Sequence, residues 1–311
     1  MPKTIKIKST NVGARLDKFL AQKLSLSRSQ IQKLIKNGAV LINNQKTTPH
    51  YFLKEEESIT INQTPDTRYQ IPDTKKPNNQ LPSFTLDIIA KTPDYLMINK
   101  PAGIPVHPDE RYKTGTLIQK ITGRFPAIKK IGEDKTRPGI IHRLDKDVSG
   151  LLVIARTQKM FNYLKEQFQN RQIKKEYLAL VHGRITPTSG EINFPITRGK
   201  NGAMVARPKN QEGKVAITEY EVLQSFINYS LVKVMIKTGR SHQIRVHFKA
   251  LGHPIVGDTL HKIKKQKSEK VPLDRLWLHA QSLGFYDLKN NWQEFTIEPP
   301  LELKNYLTSI K

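Results

Sequence analysis

The sequence predicts an α+β fold in which a small α/β unit precedes a large strand-rich domain with interspersed helices. Between residues 15 and 25, apolar side chains recur at the spacing of an amphipathic helix. Residues 151–155 form a continuous apolar run, which is typical of a strand buried on both faces. Alternating segments at 217–223 and 231–236 indicate further strands. Strands with helices between them favour a sheet-based second domain.

The N-terminal unit is predicted to contain two short helices followed by two short strands. Ser27 to Gln30 has the spacing of a capping box, and a second helix starting there would end near Gly38. The strands are expected at 40–43 and 58–61. Four basic side chains are expected on the open face: Arg15, Lys18, Arg28 and Lys33. Such a unit is too small to enclose a cavity, so it is either an RNA-binding module or a small basic helical cap.

Residues 64–82 are predicted to be an extended linker. They contain four prolines among polar residues and show no apolar periodicity. The sequence therefore divides into an N-terminal domain at 1–63, a linker at 64–82 and a large domain at 83–311.

The composition indicates a polyanionic partner. Lys and Arg number 52 against 27 Asp and Glu, which gives a net charge of +25. The chain has no cysteine, which excludes disulfides, thiolate zinc sites and a cysteine nucleophile. The N-terminus lacks the apolar core of a signal peptide, and no run approaches the roughly 18 apolar residues of a membrane span. We therefore expect a cytoplasmic protein that binds nucleic acid and has no role in a membrane.

A charged loop precedes the apolar run at 151–155. It carries Arg143, Asp145, Lys146 and Asp147 and leads directly into the predicted buried strand. Loops held against a rigid scaffold are where catalytic groups concentrate. Taken alone, these residues favour a simpler interpretation, in which the two aspartates cap turns or pair with neighbouring basic residues.

The sequence at 142–155, His-Arg-Leu-Asp-Lys-Asp-x-Ser-Gly-Leu-Leu-Val-x-Ala, closely resembles the signature of the RluA-type family of RNA pseudouridine synthases. Lys-Pro-Ala-Gly with Val-His-Pro at 100–108 and Ser-His-Gln-Ile-Arg at 241–245 resemble further family segments. The N-terminal unit resembles an S4 domain, the RNA-binding module that precedes many members. The resemblance implies that Asp145 is catalytic.

The resemblance also implies the reaction and the roles of other residues. A uridine within RNA would be isomerised to pseudouridine without a cofactor or metal. Arg245 would be the counter-ion of Asp145, and Tyr177 would lie on the uracil and take part in proton removal at C5. Arg143 would fill the space left by the flipped-out uridine. Without the resemblance, Tyr177 would be read as a core aromatic and Arg143 as a phosphate contact.

Further residues are expected to contact RNA without taking part in the chemistry: His107, His142, Lys146 and Arg240. His107 has no partner at metal-ligand spacing, so it either fixes its loop or contacts RNA. Ser241 is expected to cap a helix that Gly252 ends. On that helix His242 and His247 would point about 140° apart, which argues against a metal site. Residues 261–270 are predicted to be a basic loop.

The expected substrate is large-subunit ribosomal RNA, with transfer RNA as the alternative. No obligate protein partner is evident, and we expect a monomer. A non-catalytic RNA-binding or ribosome-assembly factor would share the charge and the N-terminal module. Such a factor would not need Asp145, Tyr177 and Arg245 together, so their joint presence favours the enzyme.

Overall fold

The computed structural model describes residues 3–7, 9–24, 26, 28–62, 81–109, 111–199, 202–207, 212–263 and 273–310, without the side chains of Lys3, Ser29, Gln30 and Lys33. The chain forms two compact units, Met1–Asn79 and Gln80–Lys311. All but residues 81 and 82 of the predicted linker lie outside the described residues, so its bounds stay a prediction. The same holds for Ser27, the proposed cap of the second helix.

The N-terminal unit packs two helices on a small antiparallel sheet. Its elements are β1 (Lys3–Lys6), α1 (Leu16–Leu24), α2 (Arg28–Lys36), β2 (Val40–Ile42), β3 (Gln45–Lys46) and β4 (Ser58–Ile61). The strand order is β1-β4-β2-β3. Leu16, Leu20, Ile31 and Ile59 are completely buried between the helices and the sheet. The predicted helices and strands are therefore present, and β1 and β3 extend the predicted strand pair at both edges.

A buried carboxylate connects the two helices of this unit. The Asp17 side chain, which has no exposed surface, accepts hydrogen bonds from Arg15 at 2.9 Å, Gln32 at 2.8 Å and Arg28 at 3.2 Å. Burial by itself would raise the pKa of Asp17, but these hydrogen bonds hold it well below its ordinary value. Arg15 and Arg28, which were expected to contact RNA, thus also stabilise the fold of the unit.

The large unit is built on one sheet with helices on its faces. Its strands are β5 (Asp87–Lys91), β6 (Tyr95–Lys100), β7 (Ser149–Ala155), β8 (Lys174–His182), β9 (Ser189–Ile192), β10 (Ile196–Arg198), β11 (Met204–Ala206), β12 (Thr218–Ser225), β13 (Tyr229–Ile236), β14 (Leu278–Tyr286) and β15 (Trp292–Thr296). The strand order is β5-β6-β7-β14-β8-β13-β12-β9, with β15 paired to β14 and a separate ribbon formed by β10 and β11. The predicted strand-rich second domain is confirmed.

Strand β7 lies at the centre of the sheet and leads out of the charged loop. All seven of its residues are buried, and it pairs antiparallel with β6 and parallel with β14. Leu152 and Ile154 pack into the core on one face of the sheet, while Leu151 and Val153 pack into the core on the other. The prediction of a strand buried on both faces is correct. Strand β7 therefore fixes the end of the charged loop to the buried centre of the sheet.

The helices of the large unit are α3 (Leu117–Arg124), α4 (Gln158–Gln169), α5 (Gln243–Ala250) and α6 (Leu301–Ser309). As expected from the sequence, Thr157 caps α4 by accepting the Met160 N–H at 3.2 Å. No helix in the described part of the chain is long and apolar enough to cross a membrane.

The expected capping of α5 by Ser241 is wrong. The residue before the helix is His242, which has a left-handed φ of 55° and gives no side-chain cap. The Gln243 side chain organises this turn instead, since it accepts hydrogen bonds from the Arg240 N–H at 3.0 Å and the Thr238 hydroxyl at 2.8 Å. Because Gln243 already closes the turn onto Thr238, the helix starts one residue later than a Ser241 cap would allow. The helix ends shortly before Gly252, as expected.

Gly150 allows β7 and β14 to come together. It pairs with Ala280 and has a φ of 120°, which side chains rarely permit. A Cβ atom at this position would lie 2.6 Å from the Ala280 nitrogen, too close for any real contact. The strand that follows the charged loop can therefore join the sheet only with glycine here.

We predict that Gly150→Ala lowers the free energy of unfolding of the large unit by about 2 to 4 kcal/mol. The reason is that the backbone of β7 or of β14 must shift to make room for the added Cβ atom. Urea denaturation of the full chain measures this. Gly123→Ala is the matched control, since an added Cβ inside α3 meets nothing within 4 Å. It should leave stability unchanged or raise it by up to about 1 kcal/mol. Equal midpoints for the two variants would show that the β7–β14 contact tolerates a side chain.

Candidate active site

Residues from the charged loop, β8 and the start of α5 line one cavity of about 110 Å³. The three segments are distant in sequence and meet at this point of the sheet. The described lining residues are Arg143, Leu144, Asp145, Val148, Tyr177, Ile236, Gly239, Arg240, Ser241, His242, Gln243, Ile244, Arg245 and Leu278. The cavity thus brings together Asp145, Tyr177 and Arg245, the three residues to which the sequence assigned the chemistry.

Asp145 is in direct contact with Arg245. The Arg245 Nη1 donates to Asp145 Oδ2 at 3.3 Å, and the carboxylate keeps 19% of its side-chain surface exposed in the cavity. The arginine is 4% exposed. The Asp145 carboxylate thus contacts a buried cation and is also partly open to the cavity, where it can interact with a bound molecule.

A second carboxylate holds Arg245 in place. Arg245 donates to Asp258 through Nε at 2.8 Å and through Nη2 at 2.7 Å, a two-pronged arrangement that fixes the guanidinium plane. Burial opposes the charges, but the hydrogen bonds between the two groups raise the pKa of Arg245 and lower that of Asp258. The sequence analysis gave Asp258 no role. The only signal was its position in the Val-Gly-Asp sequence that follows α5.

A buried lysine ties the charged loop to the preceding proline-rich loop. Lys100 has no exposed surface, and its Nζ donates to the carbonyl oxygens of Pro101 at 2.8 Å, Ile104 at 2.9 Å and Lys146 at 3.0 Å. Burial lowers the pKa of Lys100 to about 7, against the attraction of Asp147 and Asp145. The carbonyl next to Asp145 is therefore fixed by an ammonium group from the end of β6.

His107 and Arg143 lie at the edge of the cavity. His107 is buried, with its Nδ1 2.9 Å from the Pro108 carbonyl oxygen and its Nε2 3.2 Å from Arg143 Nη1. The ring therefore donates to Pro108 and accepts from the arginine. Burial lowers the pKa of His107, which keeps it in this neutral, accepting form. Of the two roles expected for His107, these contacts fit the fixing of its loop. His107 also orients Arg143, which is exposed.

Tyr177 lies on β8, where β13 and β14 flank it through Val234 and Ala280. It is 8% exposed and forms one wall of the cavity. Burial raises the pKa of Tyr177, and the nearby charge of Asp145 raises it further. Tyr177 therefore belongs to the core, as the interpretation as a core aromatic requires, and also lines the cavity. Its contact with uracil stays a prediction.

Of the other predicted contact residues, His142 and Lys146 lie around the cavity, whereas Arg240 forms part of its wall. His142 accepts the Val153 N–H at 3.2 Å and stacks on Phe168 at 4.8 Å. Burial lowers the pKa of His142 to about 3, and Lys175 contributes. Lys146 donates to the Tyr112 hydroxyl at 2.8 Å, and Arg240 donates to the Val215 carbonyl at 2.9 Å. In the N-terminal unit Lys18 is exposed, and the Lys33 side chain lies outside those described.

Two larger basic cavities adjoin the site and share Gly239 and Arg240 with it. One, of about 450 Å³, also includes Arg143, Arg171, Lys175 and Lys237. The other, of about 520 Å³, includes Arg198 and Lys214. The described residues that line these two cavities include no carboxylate. Both cavities therefore suit a polyanion that passes through the site.

The described residues contain no group of three His, Cys, Asp or Glu side chains that could hold a metal ion. His247, the histidine of α5, is buried and interacts with the Thr218 hydroxyl and the Phe194 carbonyl oxygen, both at 2.9 Å.

Comparisons with known proteins show the family to which this chain is similar. The RNA pseudouridylate synthase family model matches residues 94–250, and the S4 domain model matches residues 14–59. An uncharacterized RNA pseudouridine synthase of Aquifex aeolicus is 37% identical over 94% of this chain and 92% of its own length. The ribosomal large subunit pseudouridine synthase D of Blochmanniella floridana is 37% identical over 87% of this chain and 86% of its own length.

A solved structure is also similar. The human RNA pseudouridylate synthase domain containing 4 superposes with a TM-score of 0.58 at 26% identity, covering 72% of this chain and 92% of that one. The fold, the family matches and these relatives lead to the same conclusion: this chain belongs to the RNA pseudouridine synthase family of uridine isomerases and carries an S4 domain at its N-terminus.

Proposed function

We propose that this protein isomerises uridines of large-subunit ribosomal RNA to pseudouridine in the cytoplasm, with Asp145 as the catalytic residue. The observation that carries the chemistry is the contact between Asp145 and the buried Arg245 at the wall of a cavity that Tyr177 shares. The choice of RNA rests on relatives named ribosomal large subunit pseudouridine synthase D, at 37% and 34% identity. Transfer RNA is the alternative substrate.

Asp145 begins the reaction in its charged form, which the neighbouring guanidinium stabilises. The carboxylate either attacks the sugar carbon C1′ or removes a sugar proton, and in both cases the bond from C1′ to N1 of uracil breaks. The uracil turns and C5 bonds to C1′, while the carboxylate either leaves C1′ or returns the sugar proton. C5 then loses its proton and N1 gains one, and Asp145 is again a free carboxylate. Atoms and electrons balance within the nucleoside, so this sequence of steps needs no redox partner or group donor.

Tyr177 is proposed to hold the uracil while it turns. Its raised pKa means that the phenol keeps its proton near neutral pH, which opposes a role as a phenolate base at C5. A buried aromatic wall on a central strand instead offers a flat surface against which a base can rotate without leaving the site. We therefore assign Tyr177 to the stacking of uracil.

The Arg143 side chain is proposed to enter the RNA and fill the space that the flipped-out uridine leaves between its neighbouring bases. This side chain is exposed at the mouth of the cavity, and the buried His107 orients it. The flanking nucleotides would follow the two carboxylate-free basic cavities on either side of Gly239 and Arg240. His142 and Lys146 would add contacts to this path. The basic residues of the S4 domain, among them Lys18, Arg28 and Lys33, would bind other phosphates of the RNA.

Mapping of pseudouridines in total RNA tests the function and its target together. Cells that lack the gene should lose one or more pseudouridines of large-subunit ribosomal RNA. We predict that the wild-type gene restores them and that Asp145→Asn does not, because the amide keeps the shape of the side chain but not its charge. RNA affinity of the variant should stay within about twofold of wild type. Losses confined to transfer RNA would overturn the substrate, and full restoration by Asp145→Asn would overturn the role of Asp145.

The contact between Arg245 and two carboxylates leads to a second prediction. Arg245→Met should destabilise the large unit by about 3 to 5 kcal/mol, because it leaves the buried Asp258 without a cation. Adding Asp258→Asn should recover most of that stability, measured by urea denaturation, but isomerisation should stay lost because Asp145 still lacks its counter-ion. A double variant that is both stable and active would show that Arg245 serves the fold alone.

The S4 domain should contribute RNA affinity and not chemistry. A chain that begins at Gln80 keeps Leu81 and Phe84, which pack against the core of the large unit. We predict that this fragment retains kcat but has a raised KM, since it loses phosphate contacts of the tethered module. Each lost contact should reduce the slope of log K against log salt by about 0.7 to 0.9. If kcat at saturating RNA falls as strongly as KM rises, the S4 domain takes part in forming the active site.

A further inference from the structure

Two histidines form a contact beside Asp145. The His242 Nδ1 and the His261 Nε2 are 2.9 Å apart, with the rings nearly perpendicular at 81°. On its other side, the His242 Nε2 faces Asp145 Oδ2 at 3.9 Å. His242 therefore lies between the proposed catalytic carboxylate and a second imidazole, which comes from the start of the predicted basic loop at 261–270.

The contact between the two rings is a hydrogen bond that contains one proton, carried by one of the two nitrogens. Burial lowers the pKa of His261 to about 4, with Asp258 opposing and Arg245, His242 and Lys249 adding to the effect. Burial also lowers the pKa of His242, although Asp145 and Asp258 oppose that change and Arg245 and Arg143 add to it. Both rings are thus neutral near pH 7, so one nitrogen of the pair donates and the other accepts.

The charge of Asp145 decides which ring donates. If the His261 Nε2–H donates, His242 carries its own proton on Nε2, and that N–H points at the carboxylate. If the His242 Nδ1–H donates instead, the bare lone pair of Nε2 faces the carboxylate at 3.9 Å, which is repulsive. The first arrangement is the favourable one.

His261 is itself held firmly. Its side chain is 3% exposed, and its backbone N–H donates at 3.0 Å to Asp258 Oδ1, the same oxygen that accepts from Arg245 Nη2. His242 has a left-handed φ of 55°, a conformation that a non-glycine residue keeps only where its surroundings hold it. The short segment from Asp258 to His261 therefore reaches Asp145 along two routes, through Arg245 and through His242.

We propose that His261 and His242 form a positioning pair in which His261 fixes the tautomer of His242 whose Nε2–H faces Asp145, so that the carboxylate has a second donor besides Arg245. The proposal rests on the catalytic role proposed for Asp145. At 3.9 Å the contact is about 1 Å longer than a typical N–H···O hydrogen bond. Catalytic hydrogen bonds often shorten when substrate binds. Both histidines act through Asp145, so they are positioning residues.

The tautomer can be read directly in the full-length protein without RNA. In a sample with ¹⁵N-labelled histidine, NMR distinguishes a ring nitrogen that carries a proton from one that does not. The signals of the pair are assigned from the variants His242→Gln and His261→Gln. We expect a bare Nδ1 and a protonated Nε2 on His242 at pH 7. The opposite tautomer, or a doubly protonated ring, would overturn the proposal whether or not the protein isomerises uridine.

The kinetic test compares two substitutions of His261. In His261→Gln the side-chain amide can still donate to His242 Nδ1, so the single-turnover rate at saturating RNA should stay within about twofold of wild type. In His261→Leu that donor is lost while the backbone bond to Asp258 remains, and the rate should fall about tenfold. RNA affinity should be the same for both variants. Equal rates for the two variants would show that the hydrogen bond has no role.

A double variant separates positioning from general stability. In a His242→Ala background, His261→Leu should cause no further loss of rate, because His261 acts only through His242. A further tenfold loss would show that His261 supports the fold or the Asp258–Arg245 pair instead. Should the leucine variant fail to fold, the glutamine variant and the NMR measurement still decide. If wild-type protein modifies no RNA, the proposed function fails, and the tautomer is still measurable.

Discussion

The site depends on one guanidinium that serves two carboxylates. Arg245 is bound on two nitrogens by Asp258, and this leaves its third nitrogen aimed at Asp145. A buried arginine with a single carboxylate partner could turn toward either group, whereas the paired contact with Asp258 removes that freedom. Asp258 therefore sets the direction from which positive charge reaches Asp145. The buried pair of Arg245 and Asp258 stabilises the fold only while both members are present. The same contact therefore orients Arg245 in the site and keeps the core stable.

The charged loop is fixed at the end that leads into β7 and, within the loop, by the contact of a carbonyl oxygen with a buried lysine. At one end, Gly150 brings β7 against β14 in the centre of the sheet. From below, the ammonium group of Lys100 binds the carbonyl oxygen of Lys146, one residue after Asp145. Arg143 and the cavity mouth remain exposed. Rigid support beneath an open surface holds the Asp145 carboxylate in place and leaves room for a large, charged molecule to enter.

Much of this arrangement could be predicted from the sequence, because it depends on local patterns. The apolar run at 151–155 predicts a central strand, and the contact of Asp145 with Arg245 follows from the family resemblance. Asp258, His261 and Lys100 could not be assigned roles from the sequence. Each contacts a residue that is distant from it in the sequence, and such contacts leave no periodic pattern. The cap of α5 was predicted wrongly for a different reason: two nearby residues compete for the turn, and Gln243 closes it through Thr238 although Ser241 has the usual chemistry of a cap.

The position of β14 in the sheet has a consequence for how the chain acquires its activity during synthesis. β14 lies between β7 and β8, although it is synthesised about 100 residues after β8. Until residues 278–286 emerge, the inner edges of β7 and β8 have no partner, and the loop that carries Asp145 leads into an unfinished sheet. Exposed strand edges of this kind are prone to mispairing. A nascent or C-terminally shortened chain therefore has the S4 domain, and with it affinity for RNA, before it has a site that can act on RNA.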